Sequence, residues 1–191
     1  MIQKIERITK ETKISIVLNP QGLGESKINT SIGFFDHMLE AFSKHSSIDI
    51  ALECEGDTHV DFHHSVEDVG IVLGQALRQA IYPIINVERY GNAVVVMDEA
   101  AVECALDLSN RAYLVYDVAM EGKVGDFDVE LAEEFFRALV SNAGLSVHLV
   151  ARRGKNKHHL LEATFKAFAV ALRRALVKNE ALGIPSTKGI L

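Results

Sequence analysis

The sequence predicts an α+β fold made of two copies of one unit, each with about three strands, a helix, a strand and a helix, with sheets packed against helices. Three observations carry this. Strand-like and helix-like stretches recur in the same order in both halves of the 191 residues. The pattern HHxxE occurs twice, at His63-His64-x-x-Glu67 and His158-His159-x-x-Glu162, starting 95 residues apart. No Pro-, Ser- or Gly-rich linker separates the halves, which points to a single domain, 1–191, with pseudo-repeats of about 1–90 and 91–191.

Residues 2–8 and 13–18 alternate apolar and polar and read as strands, with Ile14, Ile16 and Leu18 on one side. Pro20, Gly22 and Gly24 mark a turn. Residues 34–44 carry Phe34, Phe35, Met38, Leu39 and Phe42 at helical spacing. Residues 48–54 read as a strand, and 65–82 as a helix stopped by Pro83. The second half predicts strands at 93–98, 101–108 and 112–118, and a helix at 128–142 with Phe135, Phe136 and Leu139 inward. A strand at 145–151 and a long amphipathic helix at 159–177 complete it.

Composition excludes several classes. Hydrophobic residues at 48% and charged residues at 24% suit a packed core and exclude intrinsic disorder. A net charge of −6 argues against nucleic acid as a partner. No apolar run approaches the ~18 residues of a membrane span, and the first residues hold no signal-peptide core, so a cytoplasmic location is expected. Cys54 and Cys104 form no CxxC, which removes a disulfide framework and a thiolate zinc site. Residues 151–191 hold nine Lys/Arg and two acids, a basic segment on an acidic protein. By composition alone this reads as a solvated helix face before it reads as an anion site.

At the start of a helix, residues four apart lie ~40° apart around the axis and residues three apart about 60°. Each Glu of HHxxE therefore shares a face with a His. The two adjacent histidines diverge by ~100°, so one ion is not readily held by both. Two such elements suggest two metal sites sharing donors across the repeats. Imidazole and carboxylate without thiolate suit Mn, Fe, Zn or Ni. His37, in FFDHML, adds a donor, and its counterpart in the second repeat is Glu134, in EEFF. His45 reads as a substrate contact or a helix C-terminal histidine. Arg89, Arg111, Lys166 and Lys188 are candidate phosphate contacts in separate segments, and PSTKGIL reads either as a flexible polar tail or as an anion clamp. From spacing alone the chain is a dinuclear His/Glu metalloprotein. A metallohydrolase and a non-enzymatic, metal-stapled assembly protein both remain open at this point.

A family resemblance narrows this. The stretches Phe34–Leu39, Asp61–Gly70, Gly125–Phe127 and His158–Phe168, with the closing Pro185–Gly189, resemble imidazoleglycerol-phosphate dehydratase from about Glu6 to Leu191. The resemblance implies a lyase of histidine biosynthesis that dehydrates D-erythro-imidazole glycerol phosphate to imidazole acetol phosphate through an imidazolate and a diazafulvene-like species. It implies two Mn2+ per active site and a 24-subunit homo-oligomer with active sites at subunit contacts. Metal ligands would be His37, His63, His64, Glu67, Glu134, His158, His159 and Glu162. Many members have His where this chain has Glu134. Substrate contacts would be Glu11, His45, Arg89, Arg111, Lys166, Ser186 and Lys188, and the catalytic carboxylates Glu11, Glu67 and Glu162. Glu11, which by itself reads as an exposed strand-edge acid, is the proton-transfer candidate.

Overall fold

A computed structural model describes residues 1–190. The first half runs β1 (Gln3–Ile8), β2 (Thr12–Asn19), β3 (Ser26–Asn29), α1 (Gly33–Ser46), β4 (Asp49–Gly56) and α2 (His63–Ile81). The second runs β5 (Tyr90–Met97), β6 (Ala100–Asp107), β7 (Tyr113–Asp117), β8 (Lys123–Val124), β9 (Phe127–Asp128), α3 (Leu131–Ala143), β10 (Ser146–Arg153) and α4 (Lys157–Ala175).

The fold is α+β, as expected. Two four-stranded sheets carry the same order, β1-β2-β4-β3 and β5-β6-β10-β7. In each, a hairpin pairs antiparallel with the strand that follows the first helix, and that strand pairs in parallel with the one before the helix. One face of each sheet is wet. In β2 every second residue is buried, Thr12, Ile14, Ile16 and Leu18, which is the period-2 signature of a half-buried strand.

Helices exchange partners between the halves. α1 packs on α4, and α2 packs on α3, so each N-half helix lies against a C-half helix. Seven phenylalanines, including Phe35, Phe135, Phe136, Phe165 and Phe168, are fully buried. Their rings meet edge-on or offset, with Phe136 and Phe165 centroids 4.8 Å apart. The α2–α3 contact is close because α2 carries glycine on that face. A methyl at Gly74 would stand 2.6 Å from the Leu139 carbonyl oxygen.

Element bounds depart from the sequence reading for physical reasons. The third strand of the first half, β3, has one apolar residue, Ile28, at its four positions, too weak a pattern to locate. Residues 127–128 form β9 and pair with β8 in a short hairpin, so α3 starts at Leu131 and not at 128. Both HHxxE elements lie inside their helices: α2 starts at His63 and α4 at Lys157, two residues earlier than the apolar periodicity suggested. In α4 the reason is Asn156, whose side chain caps the first turn.

Candidate metal centre and phosphate cleft

The Asn156 side-chain oxygen accepts the backbone N–H of His158 at 2.9 Å and of His159 at 3.4 Å. This cap starts the helix so that His158 and Glu162 fall one turn apart on one face. His158 Nε2 lies 3.1 Å from the Glu162 carboxylate. His37, from the middle of the first turns of α1, reaches the same carboxylate at 3.6 Å. One donor atom from each of His37, His158 and Glu162 lies within 4.8 Å of the others. Two open imidazoles and a recessed carboxylate, with no thiolate, form a donor set that fits a divalent ion such as Mn2+. Phe34 packs edge-on against the His158 ring at 5.2 Å, which limits its rotation.

Glu162 is nearly buried and also takes a 2.6 Å ion pair from Lys166. Burial pushes its carboxyl up, but the Lys166 hydrogen bond and charge, with His158 and His37, overcome this and hold it below the usual range. It is therefore ionised and ready to ligate. His45, at the end of α1, has its pKa lowered by burial and then by the charges of Lys166 and Arg173, so it stands neutral at pH 7.

A second group forms at the start of α2. The Asp61 carboxylate accepts the His63 backbone N–H at 2.8 Å. His63 and Glu67 approach to 3.7 Å across one turn. His64 turns aside, its ring centroid 6.4 Å from that of His63 at 86°. Its Nδ1 meets Asp57 at 3.0 Å and lies 3.9 Å from Glu11. His159 likewise leaves the His158 face, at 79°, and its Nδ1 meets Glu99 at 2.8 Å. The hydrogen bonds to Asp57 and Glu99 raise the pKa of His64 and of His159 above the ordinary value. Glu99 is held down at about 2, first by the Asn156 backbone N–H and then by His159.

A cleft of about 760 Å³ lies elsewhere on the chain, lined by Arg89, Arg111, Ser186 and Lys188 among others. Arg89 is oriented by a fork to Asp107, at 2.7 and 3.1 Å, and by the Pro185 carbonyl at 2.6 Å. The tail thus folds back over the arginine, and Pro185, Ser186, Thr187 and Lys188 form one wall of the cleft.

The structure brings His37, His158 and Glu162 together, with Lys166 and His45 beside them, and separately sets His63 beside Glu67 and His64 on Asp57, with Glu11 at 3.9 Å. Arg89, Arg111, Ser186 and Lys188 converge, which composition did not reveal, but Lys166 stands with the first group. Glu134 lies 3.9 Å from Arg137, and among the described residues it joins no cluster of three donors. The sequence reading missed Asp57 and Glu99. A signal for Glu99 existed: it precedes β6 as Glu11 precedes β2.

The family model described as imidazoleglycerol-phosphate dehydratase matches residues 30–172, from the turn before α1 to most of α4. The chain belongs to the imidazoleglycerol-phosphate dehydratase family. An imidazoleglycerol-phosphate dehydratase of Aliarcobacter butzleri is 71% identical over 98% of this chain and 99% of its own length. That of Campylobacter concisus is 66% identical over 100% and 98%. The crystal structure of the family member from Staphylococcus aureus superposes with a TM-score of 0.84 at 41% identity, covering 94% of this chain and 100% of that one. The Pyrococcus furiosus structure, in complex with (S)-C348, gives 0.85 at 36% identity over 98% and 100%.

Proposed function

We infer that this chain is a hydro-lyase of histidine biosynthesis that removes water from imidazole glycerol phosphate to give imidazole acetol phosphate, the activity its family and relatives are named for. The observation that carries the chemistry is the His37–His158–Glu162 group, set where α1 meets the start of α4.

Two Mn2+ per site fit the donor chemistry. His37, His158 and Glu162 would hold one ion, and His63, Glu67 and Glu134 the other, with His64 and His159 completing the sets from neighbouring copies. When bound, the metal supplies Lewis acidity toward the imidazole nitrogens. The chain's own residues do the rest. Arg89, Arg111, Ser186 and Lys188 clamp the phosphate and fix the ring's position. Lys166 and neutral His45 border the ring pocket. Glu11 takes the proton from the carbon that follows the one losing hydroxide, and the resulting enol tautomerises to the ketone. Glu67 and Glu162 act from within the metal sets.

We place these sites at contacts between copies in a homo-oligomer of 24 subunits in the cytoplasm, built from chains that are single domains of two pseudo-repeats. Two features support the contacts. His64 and His159 point away from the clusters of their own chain. The outer face of the second sheet exposes Tyr90, Val94, Val96 and Tyr113, an apolar surface suited to burial against another subunit.

The test is turnover of imidazole glycerol phosphate by protein stripped of metal and titrated with Mn2+. Ketone that appears only with Mn2+, saturating near two ions per chain, is the expected result. Metal binding and assembly without ketone would overturn it in favour of a stapling role, and phosphate release would favour a hydrolase.

A further inference from the structure

Two carboxylates outside the ligand set stand behind its histidines, and the halves of the chain use them differently. Glu99 and Glu11 occupy matching places, each the last residue before the second strand of its hairpin. Glu99 is fully engaged. It accepts the backbone N–H groups of Lys155 and Asn156 through Oε1, at 3.1 and 2.8 Å, and His159 Nδ1–H through Oε2 at 2.8 Å. Glu11 is half exposed, and its 3.9 Å approach to His64 is too long for a hydrogen bond. In the first half Asp57, just beyond β4, takes the histidine Nδ1–H instead, at 3.0 Å.

A carboxylate only accepts, so in both pairs Nδ1 carries the hydrogen and Nε2 keeps its lone pair for a ligand. We propose that Glu99 and Asp57 are positioning residues that lock His159 and His64 in the tautomer and orientation in which Nε2 ligates Mn2+. Asp57 thereby relieves Glu11 of the duty its counterpart Glu99 performs, and Glu11 is left with a free carboxylate for proton transfer. Glu99 also ties the hairpin to the start of α4 through two backbone donors, so it fixes where His159 stands as well as which nitrogen it offers. Partners of this kind behind metal histidines set ligand basicity and ring orientation, and losing one costs roughly 10–100-fold in metal affinity.

The inference rests on the metal reading above, and the experiment separates the two. Mn2+ binding to metal-stripped wild type, E99Q, D57A and E11Q is measured by calorimetry, with a thermal melt of each. In E99Q the amide oxygen keeps the backbone bonds, while the amide NH2 faces Nδ1 and drives the hydrogen onto Nε2. Both Asp57 oxygens lie within 3.2 Å of His64 Nδ1, so an amide there would still accept, and D57A is the change that removes the acceptor. E99Q and D57A are expected to melt near the wild type and to bind Mn2+ roughly 10–100-fold more weakly, whereas E11Q loses turnover with Mn2+ affinity unchanged. Wild-type affinity in both E99Q and D57A would overturn the positioning role. Equal losses of affinity in E11Q and D57A would overturn the division of labour between Glu11 and Asp57. A wild type that binds no Mn2+ would remove the metal reading itself. If E99Q fails to fold, D57A carries the test alone, because Asp57 is the mate of Glu99 on the other half.

Discussion

His64 and His159 are the residues at which proton and metal compete. Their hydrogen bonds to Asp57 and Glu99 raise both pKa values. In the metal-free protein each therefore contributes stability that is fully present below the ordinary histidine value of ~6.5 and is lost as pH rises through the raised folded value. A metal needs the neutral ring, so the sign for binding is opposite. Mn2+ affinity should fall as pH drops from 8 to 6, by about tenfold per unit for each proton the ion displaces. Calorimetry across that range checks this, and a flat profile would show that neither histidine ligates. The ligand candidates were legible in the sequence because HHxxE repeats. Asp57 was not, since nothing marks it until β4 ends beside α2. Glu134 was legible as the counterpart of His37, yet its neighbour Arg137 lies one turn on and draws its carboxylate at 3.9 Å.

At the scale of elements, the start of α4 and the α2–α3 contact carry most of the site's precision. Asn156→Ala removes the cap over His158 and His159. It should cost about 1 kcal/mol, a fall in Tm of about 2–4 °C in a chain of this size, together with weaker Mn2+ binding. An unchanged melt and affinity would show that the cap does not position the pair. Gly74→Ala should be far more damaging, because its methyl would meet the Leu139 carbonyl oxygen at 2.6 Å and Asn142 Cβ at 2.8 Å. Overpacking of this kind costs about 1–3 kcal/mol or more. Gly33→Ala, where nothing lies within 4 Å, is the control expected to melt as wild type. The helices were legible because their apolar stripes are long and regular. β3 and the β8–β9 hairpin were not, because four and two residues carry too little periodicity. Asn156 went unmarked, because the apolar stripe placed the helix start at 159, beyond the turn that this residue caps.

Across the whole molecule, one chain holds its proposed ligands in separate groups: His37, His158 and Glu162 at the meeting of α1 and α4, and His63, Glu67 and His64 at the start of α2. The exchange of helix partners between halves explains the first group, since it brings an N-half histidine to a C-half HHxxE. That exchange was not written in any local pattern of the sequence. It follows from how two sheets and four helices share one core. The proposed active site needs both groups, supplied by different copies. Co-expressing H37A with H64A, each inactive alone, tests it most directly. Mixed assemblies should recover about a quarter of wild-type turnover, the chance that one copy brings an intact His37 and its neighbour an intact His64. A mixed assembly as inactive as either parent would place both groups in the site of a single chain and contradict the claim.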